Sequence, residues 1–282
     1  MTLPRNRRVV AAIALAMLAS SALPMLASSA LPMLALSAQA ASPPSLLQLD
    51  TEGGDFRARL SDGQVLRGAD LVGATLDIAG PDGIVLHLTI ASAEPDRGGA
   101  APDVWLFDLV QPVDGGPAQH LCSADPEGRH LAIPHPVAGA TGGLALTCSS
   151  GAVGKCMRFG YRPWANAADG LSLAPLHAAC VHMVRADYGG DDRPWTRNGM
   201  TIDLYDDHGI QQPAANNAMP FEAGWSPAGA VCIAHVRVPE NGGLHDVAAA
   251  TPRLVGRTGP EACTEATARA AGAVLFNRSR GL

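Results

Sequence analysis

Six cysteines, Cys122, Cys148, Cys156, Cys180, Cys232 and Cys263, lie in the second part of this 282-residue chain, and none precedes residue 122. An even count in an oxidising compartment reads as three disulfides, although spacing alone leaves their pairing open. No Cys-x-x-Cys pair occurs, which argues against a zinc ribbon or a thioredoxin-like redox centre. Each bridge constrains the unfolded chain by ~2–4 kcal/mol. That is a large share of the stability of an ordinary domain.

The oxidising compartment is itself an expectation from the first forty residues. Arg5, Arg7 and Arg8 precede an apolar stretch from Val9 towards Leu36, which closes on Ala38-Gln39-Ala40, and no acid occurs before Asp50. This pattern predicts a secretory signal peptide over 1–40. The apolar stretch is long because Ser20–Ala27 recurs residue for residue as Ser28–Ala35. Pro24, Pro32 and the small-residue end favour cleavage over a retained membrane anchor. With the first cysteine at 122, a lipid-anchored lipoprotein is excluded. The expected location is therefore periplasmic or secreted, with no stable membrane span after cleavage.

Loss of Arg5, Arg7 and Arg8 leaves 17 basic residues against 26 acids, a net charge of about −9. Lys155 is the single lysine, and no Lys/Arg run follows the leader. Nucleic acid and anionic membrane surfaces are thus excluded as expected partners. A polymer or protein ligand remains the open partner class. Apolar residues make up 47% of the chain, enough for a core, while 31 Gly and 22 Pro imply many turns between short elements. The expected fold class is mainly β with two or three helices, a β-rich α+β domain stapled by disulfides.

Residues 41–116 carry no cysteine and read as a β-rich subdomain, with a second unit over 117–282. Phe56, Ala58 and Leu60 alternate with Arg57 and Arg59, a half-buried strand. Ile84–Ile90 and Val104–Val110 are apolar runs of strand length, and Asp62-Gly63 and Asp82-Gly83 mark turns. Residues 68–76 resemble two pentapeptide units, too few to stack a β-helix. Pro117–Pro136 reads as loop, and Leu144–Thr147 as a short strand. A helix is expected over Leu173–Tyr188, with Leu176, Cys180, Met183 and Asp187 on one face and Gly189-Gly190 as its stop. Met200–Tyr205 and Ala230–Val238 read as strands, and Ala-rich Glu261–Phe276 as a C-terminal helix.

The segment Ala179–Gly190, containing Arg185-Ala186-Asp187-Tyr188, resembles the signature of the ADYC-domain proteins, a bacterial exported family named for an Ala-Asp-Tyr-Cys motif. Further pieces fit the same pattern. They are Lys155-Cys156 leading to Gly160-Tyr161-Arg162-Pro163-Trp164, Thr196-Arg197 with Gly199, Phe221-Glu222-Ala223-Gly224-Trp225 before Gly229–Cys232, Pro252-Arg253-Leu254, and Phe276–Ser279. The resemblance covers roughly Cys122 to the C-terminus. It implies export and a domain type, and no assigned activity. It also implies cysteines at two positions where this chain has Gly189 and Thr251. Losing both keeps the count even, as deletion of one whole bridge would, so the two sites are expected within roughly 7 Å.

Candidate chemistry is sparse. His177 and Cys180, three apart on the expected helix, could form a thiolate–imidazole pair, but a disulfide role for Cys180 is preferred. His177 and His182 diverge by about 140° around a helix and do not converge on one metal. Asp187, Asp191, Asp192, Asp203, Asp206 and Asp207 crowd one region, yet their spacing matches no calcium loop and Arg193 and Arg197 interrupt them. No metal and no cofactor are therefore expected. Arg185 and Asp187 are read as a buried ion pair and capping group. Gly224-Trp225-Ser226-Pro227 lacks a nucleophile elbow. Trp164, Trp195 and Trp225, with Tyr161 and Tyr188, could line a groove but are read as core. The resulting expectation is a binding or structural module of the envelope or extracellular space. The alternative is a hydrolase of an extracytoplasmic polymer with His177, Asp187 and Glu222 as acid–base groups.

Overall fold

A computed structural model describes residues 44–79, 84–137 and 143–281. The leader expected over 1–40 and the Asp82-Gly83 turn lie outside the described residues. Strand accounts for 34% and helix for 18% of the described residues, so the domain is mainly β. Among the described residues, three antiparallel sheets carry the fold.

The first sheet has the order β1 (Leu46–Glu52), β2 (Asp55–Leu60), β3 (Val65–Arg67). In β2, Phe56, Ala58 and Leu60 are buried while Arg59 faces solvent, the alternation that a one-sided sheet requires. The second sheet joins β4 (Thr75–Ala79), β5 (Val85–Pro95), β6 (Trp105–Gln111), β8 (Leu131–Pro136) and β9 (Leu144–Cys148), with β7 (Gln119–His120) on β6. It therefore contains strands from both sides of residues 116 and 117. Phe56, Leu76, Leu88, Ile90, Phe107, Leu109 and Ala132 make one core between these two sheets. Phe56 meets Phe107 edge-on at 4.8 Å. Residues 68–71 form a single 3-10 turn ahead of β4.

The third sheet has the order β10 (Ile202–Asp206), β13 (Leu275–Ser279), β11 (Phe221–Ser226), β12 (Gly229–Ile233). Helix α2 (Ala174–Arg185) packs on β11, β12 and β13, and α4 (Glu265–Ala270) packs on β11 and β12. Helix α1 (Ala152–Arg158) lies against α2 and β9, and α3 (Leu244–Ala250) leads into the 3-10 turn at residues 252–254. Gly224 lets α4 lie flat on β11. A Cβ there would sit 2.5 Å from Ala268 Cβ and 2.9 Å from Ala273 Cβ, so no larger residue fits without displacing the helix.

The bridges are Cys122–Cys148, Cys156–Cys180 and Cys232–Cys263, with Cα separations of 5.4, 5.8 and 5.4 Å, and no cysteine is free. The first closes the second sheet, the second ties α1 to α2, and the third fixes the loop before α4 to β12.

Four expected elements need correction. Within Pro117–Pro136 the segment Leu131–Pro136 is strand β8, not loop. Its pairing with β6 covers only Leu131 and Ala132, so Pro134 and Pro136 fall where no donor to β6 is needed. The C-terminal helix is only α4, because Gly272 turns the chain at φ +84° and Leu275–Ser279 becomes strand β13, paired on both sides. Tertiary pairing overrides the Ala-rich propensity. Helix α2 stops at Arg185, earlier than Gly189-Gly190, for a reason that belongs to the site below. Strand β12 ends at Ile233, short of Val238.

Candidate functional site

Helix α2 ends on Ala186, whose φ of 48° is left-handed. A left-handed alanine is disfavoured by roughly 1 kcal/mol, so surrounding contacts must hold it. The amide of Ala186 donates to Met183 O at 3.0 Å and that of Asp187 to His182 O at 2.8 Å, which satisfies carbonyls left open at the helix end. The turn sends Arg185 outward and Asp187 and Tyr188 inward, where both are fully buried.

Asp187 organises the loop that follows. Its Oδ1 accepts the amide of Asp191 at 3.1 Å, and its Oδ2 accepts the amide of Asp192 and the ring of His182, both at 3.0 Å. Arg185 is not its ion-pair partner. The left-handed turn separates the two side chains, and Arg185 instead donates to Asp192 O at 2.6 Å.

Tyr188 stacks on Trp225 at 5.4 Å and 17° and delivers its hydroxyl to Glu222 Oε1 at 3.1 Å. Glu222 on β11 has no exposed surface, and neither has Arg237, which follows β12. The guanidinium of Arg237 uses all five of its N–H groups. Nε donates to Glu222 Oε2 at 3.0 Å. Nη2 donates to Glu222 Oε1 at 2.9 Å and to Met183 O at 2.8 Å. Nη1 donates to Val184 O at 3.1 Å and to Thr196 Oγ1 at 3.2 Å. A cation thus sits on the last carbonyls of α2, where the helix dipole favours it. Asn277 on β13 completes the cluster, donating to Glu222 Oε2 at 2.8 Å and accepting from Trp225 Nε1 at 2.8 Å.

Burial alone would raise the Glu222 carboxyl. The charge and hydrogen bonds of Arg237, with bonds from Ser279 and Asn277, outweigh that and hold it below the ordinary carboxylate value. Tyr188 is pushed well above the ordinary phenol value, chiefly by burial and then by the Glu222 charge. The cluster is an ionised pair wrapped by neutral donors, in the arrangement that offsets the desolvation of a buried salt bridge.

His177, Asp187 and Glu222 do not converge. His177 lies in the first turn of α2 and Asp187 just past its last, roughly 15 Å apart along the axis at 1.5 Å per residue. The His177 ring faces Val153 O at 3.3 Å, and burial lowers its pKa. Its neighbour Cys180 is held in the bridge to Cys156, so no thiolate is available for it. The acidic residues also separate. Asp206 accepts Tyr161 Oη at 2.7 Å and the amides of His208, Ile210 and Gln211, Asp203 accepts the amide of Ala214, and Asp207 pairs with Arg269.

The remaining motif residues are fasteners too. Pro163 sits in the turn closed by Ala165 N to Arg162 O, which aims Arg162 and Trp164 at Asp103, with contacts of 2.6 and 2.9 Å. Arg253 donates to the carbonyls of Tyr188, Gly189, Ala228 and Ala230, and so clamps the turn after α2 onto the β11–β12 hairpin. Tyr161, Tyr188, Trp195 and Trp225 are buried. Sequence reasoning missed Arg237. The available signal was one arginine between Val236 and Val238 in an apolar run, which demands a buried acid as partner.

Beside this cluster a cleft of about 440 Å³ opens between α1, the end of α2, residues 196–200 and β10. Phe159, Met200, Ile202 and Leu204 give it an apolar lining. Lys155, Arg185 and Arg197 stand in its walls, and among the described residues no acid lines it.

No curated protein and no solved structure matches this chain. The model of one family, the ADYC domain, matches residues 68–239, more than half of the chain, from the turn before β4 to the segment just past Arg237. That span holds the left-handed turn, the Glu222–Arg237 pair and the aromatic residues packed on them, and the chain belongs to the ADYC-domain family.

Proposed function

We propose that this protein is an exported, disulfide-stabilised binding or structural module of the bacterial envelope or extracellular space. The supporting observation is the state of its two buried motif carboxylates. Asp187 and Glu222 have no exposed surface, and both oxygens of each accept hydrogen bonds from this chain's own groups. A general acid or base must reach a substrate proton within hydrogen-bond distance. These two are spent on holding α2, the β11–β12 hairpin and β13 together.

Export is supported by the leader pattern and by three disulfides, which persist in oxidising compartments. Among the described residues no helix is long and apolar enough to cross a membrane. N-terminal sequencing of exported material should give Ala41 as the first residue, and material that still begins before Val9 would contradict export by cleavage.

The test of the module reading is direct. Purified oxidised protein incubated with cell-envelope polymers should release no new reducing ends and no new free amino groups. Release of either, abolished by Asp187→Asn or Glu222→Gln in a folded variant, would establish the hydrolase instead.

A further inference from the structure

We propose that the cleft between α1, α2 and β10 binds a small organic carboxylate with an apolar body. The inference rests on the module reading in that the cleft binds its ligand without transforming it.

Three observations point to this chemistry. The chain carries 26 acids and 20 basic residues, yet among the described residues three cations and no acid line this cleft. Arg197 and Arg185 have carboxylates within reach outside it, Arg197 with Glu240 at 3.2 Å and Arg185 with Asp192 at 3.8 Å. Lys155, the single lysine, has no ion-pair partner among the described residues and is only partly exposed. Its ammonium is the free charge of the site.

Part of the lining is apolar, beside the polar Ser150, Thr196 and Asn198. Phe159, Met200, Ile202 and Leu204 offer carbon surface, and Phe159 is 36% exposed, unusual for a phenylalanine in so aromatic-poor a chain. A volume of about 440 Å³ lies within the ordinary range for small-molecule sites. A ligand that is anionic at one end and apolar along its length satisfies both parts. An inorganic anion would leave the apolar lining bare, and a neutral lipid would leave Lys155 unused.

The walls are also rigid. The Cys156–Cys180 bridge fixes α1, next to Lys155, against α2. Arg237 grips Met183 O and Val184 O, two wall residues, and Thr196 Oγ1, a third. A pre-formed site loses little on ordering, which is what a small ligand needs for useful affinity.

Two sources share this chemistry, the C-terminus of a peptide and a free fatty acid. The experiment is calorimetric titration of the full oxidised domain with acetyl-Leu-Phe as free acid, the same dipeptide as C-terminal amide, and decanoate. At least one free acid should bind saturably, and the amide should bind roughly tenfold more weakly or worse than the acid, the loss expected for one charge-assisted hydrogen bond. Preference for the dipeptide acid would assign a peptide C-terminus, and preference for decanoate a fatty acid. Lys155→Met should weaken the bound acid by roughly tenfold and leave any amide binding unchanged. Leu204→Trp should block the cleft without touching Lys155. Equal binding of acid and amide, no effect of Lys155→Met in a variant with unchanged thermal unfolding, or no binding of either acid at millimolar concentration would overturn the proposal. Mass spectrometry of the recovered dipeptide separates the two readings. Intact peptide that fails to bind sinks only the ligand assignment, whereas cleaved peptide sinks the module reading.

Discussion

A Cβ placed on Gly189 would lie 3.0 Å from Thr251 Oγ1. That contact brings the turn after α2 against the end of α3, with the Thr251 oxygen standing where the sulfur of a cysteine at 251 would, and it is compatible with the roughly 3.5–4.5 Å between bridged Cβ atoms. The two positions where the family resemblance implies cysteines are therefore neighbours in this chain, and Arg253 stitches the same seam through the carbonyls of Tyr188 and Gly189.

The Gly189→Cys, Thr251→Cys double variant should consequently close a fourth bridge on export. Asp191 Oδ1 would stand 2.9 Å from the new Cβ and must swing away, which its exposed side chain can do. The expected gain is up to about 2–4 kcal/mol, reduced by any native strain. Non-reducing mass spectrometry and thermal unfolding check it. Free thiols at both positions in the folded variant would refute the pairing.

Asp187 gives a local prediction. Asp187→Ala strands the amides of Asp191 and Asp192 and the ring of His182, three groups that it now satisfies. The expected cost is about 2–4 kcal/mol. Amide hydrogen exchange should accelerate first at residues 191 and 192, and protection unchanged there would show that the loop is held by something else.

The first sheet carries a pH dependence of unusual sign. Burial pushes the Asp55 carboxyl up to about 6, against the amide of Gly68, which lowers it, and the Arg67 charge. A carboxyl raised in the folded state favours the protonated form. Its stabilising effect is full below about pH 4, the unfolded value, and is lost as pH rises through about 6. Asp55→Asn keeps an acceptor for Gly68 N–H, now 3.1 Å away, and removes the buried charge. The variant should be more stable than wild type at pH 7.5 by about 1–3 kcal/mol, with the gap closing near pH 4. Equal stability at both pH values would show that Asp55 is not strained by ionisation.

How far the sequence foretold this structure depended on the range of the forces involved. Local period was enough for β2, where Phe56, Ala58 and Leu60 alternate with arginines, and for α2, whose buried face of Leu176, Cys180 and Met183 follows the helical repeat. Cysteine parity was enough for three bridges but not for their partners. Strands β8 and β13 were hidden because their stability comes from neighbours on the sheet, which neither Pro134 nor the Ala-rich segment before Leu275 reveals. The early stop of α2 was hidden for a related reason. A left-handed Ala186 is tolerated only because Asp187 and Tyr188 gain partners from residues 191, 192, 222 and 237. Of the candidate site, Glu222 and Asp187 were visible as residues, and their roles were not, since Arg237 and Asn277 lie 15 and 55 positions from Glu222.

The account stands or falls on the Glu222–Arg237 pair as the structural centre of the domain. The measurement is a double-mutant cycle of Glu222→Gln and Arg237→Met in the oxidised protein, read by chemical unfolding. Each single change leaves a buried charge without its partner and should cost about 3–5 kcal/mol. The double variant, with neither charge left, should lose clearly less than the sum, a favourable coupling of more than about 1 kcal/mol. Single variants that unfold at the wild-type denaturant concentration, with no coupling between them, would contradict it.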